Sequence, residues 1–155
     1  MLSCLPQSLC SWDFRVVRSG EPIASIKTHF LTEQGSIHLQ NQEWTIRKIS
    51  FISGQWTLER DGTILGKAHK QNIFSRTFDV KFENSQWILK AKSAFGRGFE
   101  ILHNNRPIGM IDPVHAFTRR ATITCSADLP IPAQLFCFWL AMITWRRTQN
   151  SNGGT

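Results

Sequence analysis

Along most of the chain apolar and polar positions alternate in short runs rich in Val, Ile, Thr, Phe and Trp. A period of two in such residues predicts strands with one face against a core. Runs at 12–18, 23–28, 35–39, 43–52, 55–60, 63–69, 74–82, 86–92, 95–102, 107–111 and 117–125 give about eleven strands. Asn41-Gln42, Ser53-Gly54, Asp61-Gly62, Asn84-Ser85 and Asn104-Asn105 separate them, and these residue types tolerate the positive φ that two-residue hairpins need. The expected path is an antiparallel meander.

Three of the hairpins repeat one pattern: SGEPIAS at 19–25, DGTILG at 61–66 and NNRPIG at 104–109. Gly20, Gly62 and Asn105 are 42 and 43 residues apart, and a small residue follows each four positions later, Ala24, Gly66 or Gly109. Four strands per period suggests a propeller blade, but propellers need about four blades or more. Three units of four strands point instead to one closed barrel of about twelve.

The pattern then changes. After Pro130 and Pro132, the thirteen residues from Ala133 to Trp145 carry no charge, and Arg146-Arg147 ends the run. Pro132 suits a first helical turn, and the arginines suit the negative end of the helix dipole. At ~1.5 Å per residue this apolar stretch spans roughly 20 Å, less than the ~30 Å of bilayer hydrocarbon. A helix apolar all round must be surrounded, and a barrel of this size has a lumen to fill. The sequence therefore predicts a mainly β fold, a closed antiparallel barrel of about twelve strands with a central hydrophobic C-terminal helix at about 132–147. Insertion of that helix in a membrane is the competing placement, since Trp145 and the basic pair also suit an interface. Residues 1–11 are expected to be an N-terminal extension, 12–147 the barrel and its helix, and 148–155 a flexible polar tail.

Charge and composition narrow the function classes. The 155 residues carry 18 Lys+Arg against 11 Asp+Glu, a formal charge of +7, which is compatible with anionic partners and first of all with a plain soluble basic surface. No basic run exceeds two residues, so there is no arginine-rich arm. There is no Tyr, which removes the phenolic acid or base from any catalytic scheme. Cys4, Cys10, Cys125 and Cys137 form no Cys-x-x-Cys pair, and Cys125 and Cys137 lie in apolar stretches as small core residues. The opening MLSCLPQSLC has no basic residue before its apolar positions and contains Pro6, unlike a secretory signal. A cytoplasmic location, peripheral at a membrane, is expected.

A repeated meander of about twelve strands followed by one hydrophobic helix resembles the tubby C-terminal-like superfamily. The closest resemblance is to small proteins related to the plant LURP-one group and their bacterial counterparts, relatives of the phospholipid scramblases. It is carried by the hairpin copies, by FDVKFENSQWILKAKSAFGRGFEILHNNRPIGMID at 78–112 and by LPIPAQLFCFWLAMITW at 129–145. The resemblance implies a non-enzymatic module that binds anionic phospholipid headgroups. In tubby proteins a Lys-x-Arg pair on a strand grips the phosphates, and the nearest spacing here is Lys90-Ala91-Lys92. A period of two puts both ammonium groups on one strand face. Arg76, Arg97, Arg119 and Arg120 are the candidates to share that face. A protein-interaction or scaffold barrel, whose charge serves solubility, is the alternative.

Other chemistries find less support. His29, His38, His69, His103 and His115 include no His-x-x-x-His pair, and no metal or other cofactor is expected. Gly96-Arg97-Gly98 lacks the Lys-Ser/Thr and the helix of a phosphate loop, and marks a bulge or close approach instead. Nucleic acid is disfavoured as a partner. Trp44, Trp56 and Trp87 interleave with basic positions as a stacking surface would, but each starts a strand just after a turn, where a core aromatic belongs.

Overall fold

In the computed structural model, which describes residues 1–29, 31–50, 52, 54–126 and 128–153, twelve strands close into one barrel. They are β1 (Leu2–Pro6), β2 (Phe14–Arg18), β3 (Glu21–His29), β4 (Gln34–Leu39), β5 (Gln42–Lys48) and β6 (Gln55–Arg60), followed by β7 (Thr63–Lys70), β8 (Thr77–Phe82), β9 (Ser85–Ala91), β10 (Phe99–His103), β11 (Arg106–Pro113) and β12 (Ala121–Cys125). One helix follows, α1 (Ile131–Asn152). Each strand pairs antiparallel with its neighbours in sequence, and β1 closes the ring against β12 through Leu2↔Ile123 and Cys4↔Ala121.

The N-terminal extension expected over 1–11 is thus corrected, because its first half is a barrel strand. LSCLP has no turn signal before it, and its closing partner lies at the far end of the sequence, so local pattern could not place it. It nonetheless obeys the repeat. Leu2, Trp44 and Trp87, and likewise Cys4, Ile46 and Leu89, are 42 and 43 residues apart and are all buried. The helix also runs on to Asn152, so the polar tail expected from 148 is helical over its first five residues. Thr148 and Ser151 donate hydroxyl hydrogen bonds to the carbonyls four residues earlier, and the chain meets no glycine before Gly153. Gly154 and Thr155, and with them the end of that tail, lie outside the described residues, as do Phe51 and Ser53 of the expected 43–52 strand and Ser53-Gly54 turn.

The three hairpin copies are superposable devices. Ser19-Gly20, Asp61-Gly62 and Asn104-Asn105 all adopt positive φ, 52° and 84°, 52° and 75°, and 51° and 62°, as type I′ turns require. Each is followed by a β-bulge at the same point, where Ile23, Leu65 or Ile108 is the unpaired residue. The carbonyl of that residue accepts a hydrogen bond from the backbone N–H of Gln40, Glu83 or Ser126, just past β4, β8 or β12. The end of the next strand is thereby fixed to each bulge. The Asn41-Gln42 and Asn84-Ser85 turns fall one residue earlier than expected, at Gln40-Asn41 and Glu83-Asn84, because Leu39 pairs with Gln42 and Phe82 with Ser85.

The lumen is filled by α1. Every residue from Leu135 to Trp145 is buried, along with Ala133. Burying Phe138, Trp139 and Leu140 stabilises by roughly 1.5–3 kcal/mol each. Phe138 packs edge-on against Phe14 at 5.0 Å between centroids and Trp139 against Trp56 at 6.2 Å. The wall gives way for Trp139 at Gly35, where a Cβ would lie 3.0 Å from the indole nitrogen and 2.4 Å from the Lys27 carbonyl. Among the described residues, no helix is long and apolar enough to cross a membrane. Trp44, Trp56 and Trp87 all point into the core, which removes them as a stacking surface.

Candidate functional site

Strand alternation gives the barrel two unlike mouths. At one, the tight turns 19–20, 40–41, 61–62, 83–84 and 104–105 and the 126–130 link surround the start of α1. These segments contain three carboxylates, Asp61, Glu83 and Asp128, and no Lys or Arg. At the other mouth the loops 7–13, 30–33, 49–54, 71–76, 92–98 and 114–120 surround the emerging helix end. Those loops and residues 146–153 contain seven Lys or Arg against two carboxylates. Strands 74–82, 95–102 and 117–125 are shorter than expected because the chain at this mouth leaves the sheet early.

Each of the six long loops holds a large apolar side chain out in solvent. Leu9, Leu31, Ile52, Phe74, Phe95 and Phe117 are 95, 95, 94, 89, 100 and 98% exposed, and Ile73 stands beside Phe74. They fall into two sets of three, Leu9, Ile52 and Phe95 and then Leu31, Phe74 and Phe117, with spacings of 43 throughout. The repeat that shapes the wall therefore also sets out these tips, and the same period read along the sequence would have found them. Sequence reasoning passed over them because an isolated apolar residue in a polar loop carries no periodic signal of its own.

All six basic candidates belong to this mouth, and the structure gives them different work. Lys90 and Arg120 are exposed. Lys92 lies just beyond β9 and is held by Asp112, its Nζ 2.7 and 2.9 Å from the two carboxylate oxygens. It therefore does not act with Lys90 as a free pair on one strand. Arg76 donates to the Ser93 and Ala94 carbonyls of the next loop and lies over Phe99. Arg119 donates to the Ser11 carbonyl at 2.6 Å and stacks on Trp12 at 4.7 Å. Arg97 donates through Nη1 to the Ala116 carbonyl and stacks on Trp145 at 4.7 Å, while the Trp145 indole N–H donates back to the Arg97 carbonyl at 2.7 Å.

Arg97, Arg119 and Arg120 come together around a pocket of about 550 Å³ between the loops 7–13 and 114–120 and the helix end. No carboxylate lines it. The Nε and Nη2 atoms of Arg97 are shielded from solvent and have no hydrogen-bond partner among the described residues. Burial, and next the charge of Arg119, push Arg97 below its ordinary value. Across the mouth Arg147 uses the same guanidinium edge fully: Nε and Nη2 donate to the two oxygens of Glu33 at 2.7 and 2.6 Å. Lys48 adds a third bond at 2.7 Å. Burial alone would raise the Glu33 carboxyl, but the hydrogen bonds and charges of Arg147 and Lys48 outweigh it and hold the group down at about 2.

A shallower hollow of about 610 Å³ lies on the outer wall over β6 to β10. Its ionisable groups, Lys67, His69, Asp79 and Lys81, are exposed strand residues that face one another in register and converge on no common point. Comparison with family models, with curated proteins and with solved structures gave no match to this chain.

Proposed function

We propose that this is a non-enzymatic tubby-like barrel that docks on anionic phospholipid membranes with the mouth from which the helix emerges. The observation that carries the reading is the crown of six exposed apolar tips set among basic residues. Apolar tips that enter the acyl boundary gain transfer free energy, up to roughly 1.5–3 kcal/mol for a fully buried side chain. Each Lys or Arg near an anionic leaflet adds about 1 kcal/mol. Neither contribution alone gives firm binding, and the two together on one face do. Six large apolar side chains exposed on one mouth are more than singly scattered surface residues, which favours a dedicated contact. The resemblance of the sequence pattern to that of tubby-like proteins supports the same reading.

Sedimentation with phosphatidylcholine vesicles, with and without 30% phosphatidylserine, tests it. Binding that requires the anionic lipid and falls steeply with salt is expected. The scaffold alternative is favoured by one observation: Arg76, Lys92 and Arg119 are already engaged within the protein, which leaves fewer cations to meet an anionic surface. No sedimentation at low salt would leave that alternative standing.

A further inference from the structure

We infer that Arg76, Arg97 and Arg119 are clamps that hold the apolar tips of this mouth out as one preset ring, and that their charge meets an anionic surface at a distance, without gripping headgroups. As a statement about docking this rests on the membrane reading of the same mouth; as a statement about the loops it stands without it. Each clamp has the same three parts. The guanidinium lies over a buried aromatic ring, Phe99, Trp145 or Trp12, its carbon 5.4, 4.7 and 4.7 Å from the ring centroid. From there it donates into the next loop round the mouth: Arg76 to the carbonyls of Ser93 and Ala94, Arg97 to that of Ala116 and Arg119 to that of Ser11. Those carbonyls adjoin the tips. Ala94 precedes Phe95, Ala116 precedes Phe117, and Ser11 stands two residues after Leu9. The clamps run in one direction and link four neighbouring loops, 71–76, 92–98, 114–120 and 7–13, the last across the seam where β12 meets β1.

A guanidinium can stack by its flat face and donate by its edge at once, which suits Arg and not Lys to all three places. The clamps answer a physical problem of exposed apolar tips. Phe95, Phe117 and Leu9 gain by folding back on the protein, and a loop free to do so must be ordered again at each docking event, which lowers affinity. Fixing the carbonyl beside the tip removes that cost beforehand. A guanidinium bonded to a neutral carbonyl keeps its charge, so attraction to an anionic leaflet persists over the screening length. The donors themselves are occupied or hidden: Nε and Nη2 of Arg97 are shielded from solvent, where no headgroup oxygen meets them. The mouth therefore reads surface charge and not headgroup structure.

The test uses the full chain and Arg97→Lys, which keeps the charge and loses both the flat face and the fork. Without vesicles, backbone hydrogen exchange in 114–120 should be about tenfold faster in the variant. With phosphatidylcholine vesicles carrying phosphatidylserine, Arg97→Lys should bind about tenfold more weakly than the parent, and Arg97→Lys with Phe117→Ser no more weakly than Phe117→Ser alone, because the arginine acts through that tip. The parent should bind vesicles carrying phosphatidic acid at matched surface charge within about twofold of the phosphatidylserine ones. Unchanged exchange, or a double variant whose two losses multiply, overturns the clamp and leaves docking intact. Faster exchange in the variant, with no vesicle binding by the parent, upholds the clamp and overturns docking. A preference for phosphatidic acid of about tenfold, the scale of one charge-assisted hydrogen bond, overturns action at a distance. Should Arg97→Lys fail to fold, Arg119→Lys is read in the same way, through exchange in 7–13 and in combination with Leu9→Ser.

Discussion

The two mouths of the barrel are built from the same three-fold repeat and put it to opposite uses. At the acidic mouth the repeat recurs as matching backbone devices, a type I′ turn, a bulge and a carbonyl that fixes the end of the next strand. At the basic mouth it recurs as chemistry, with apolar residues held in solvent at matching positions of six longer loops. One end sets the register of the hairpins, and the other carries the longer loops that hold the exposed apolar residues. Tight turns cannot vary without disturbing register, whereas loops of four to seven residues can.

This division of labour can be broken first at the core that both mouths share. Trp139→Ala should cost about 3–5 kcal/mol, because the wall already narrows to Gly35 to admit the indole and cannot collapse on the space left. Urea melts check it, and a loss under 1 kcal/mol would mean that the helix is only loosely held. At the acidic mouth, Gly62→Val should cost about 1–3 kcal/mol, since Gly62 sits at φ 75°, which a β-branched residue avoids. Asn105→Gly, at the equivalent turn, should be neutral or mildly stabilising. Equal small effects of the two changes would undo the claim that this mouth carries the register.

At the basic mouth the largest stability effect should come from Glu33. Its carboxyl is held at about 2, below its unfolded value near 4.5, so the stabilisation is fully present above about pH 4.5 and is lost as pH falls toward 2. Allowing for solvent screening, about 1–2 kcal/mol is involved. Glu33→Gln should lower stability at pH 7 and flatten the profile between pH 4.5 and 2; an unaltered profile would locate the acid sensitivity elsewhere. The smallest stability effect should come from Phe95→Ser with Phe117→Ser, within about 0.5 kcal/mol of the parent. The same pair should weaken vesicle binding about tenfold or more, and undiminished binding would separate the apolar crown from the membrane.

Much of this was legible in the sequence. Alternation and turn residues gave eleven of the twelve strand neighbourhoods, β2 to β12, and the 42–43 spacing implied the number of strands. Closure by β1 was not legible, because strand pairing between Leu2 and Ile123 leaves no local mark. Nor was the distinction among the basic residues. Arg76, Arg97 and Arg120 look alike as letters, and only the fold reveals that one clamps a neighbouring loop, one presents a buried fork and one is free in solvent. The pairing of Arg147 with Glu33, 114 residues apart, was equally invisible.

A wall that repeats three times poses a problem for the single helix inside it, since nothing in the repeat itself says which way round the helix should sit. Positions 33, 76 and 119 correspond, yet they are Glu, Arg and Arg, and only the first attracts Arg147. Positions 35, 78 and 121 correspond as well, as Gly, Phe and Ala, and only the first leaves a slot for Trp139. The first repeat is thus a keyway, electrostatic at the rim and steric below it, and α1 is a key that turns to one of three settings. One residue inserted between Ile131 and Leu135 would rotate the key by about 100° and carry Trp139 away from Gly35 and Arg147 away from Glu33 together.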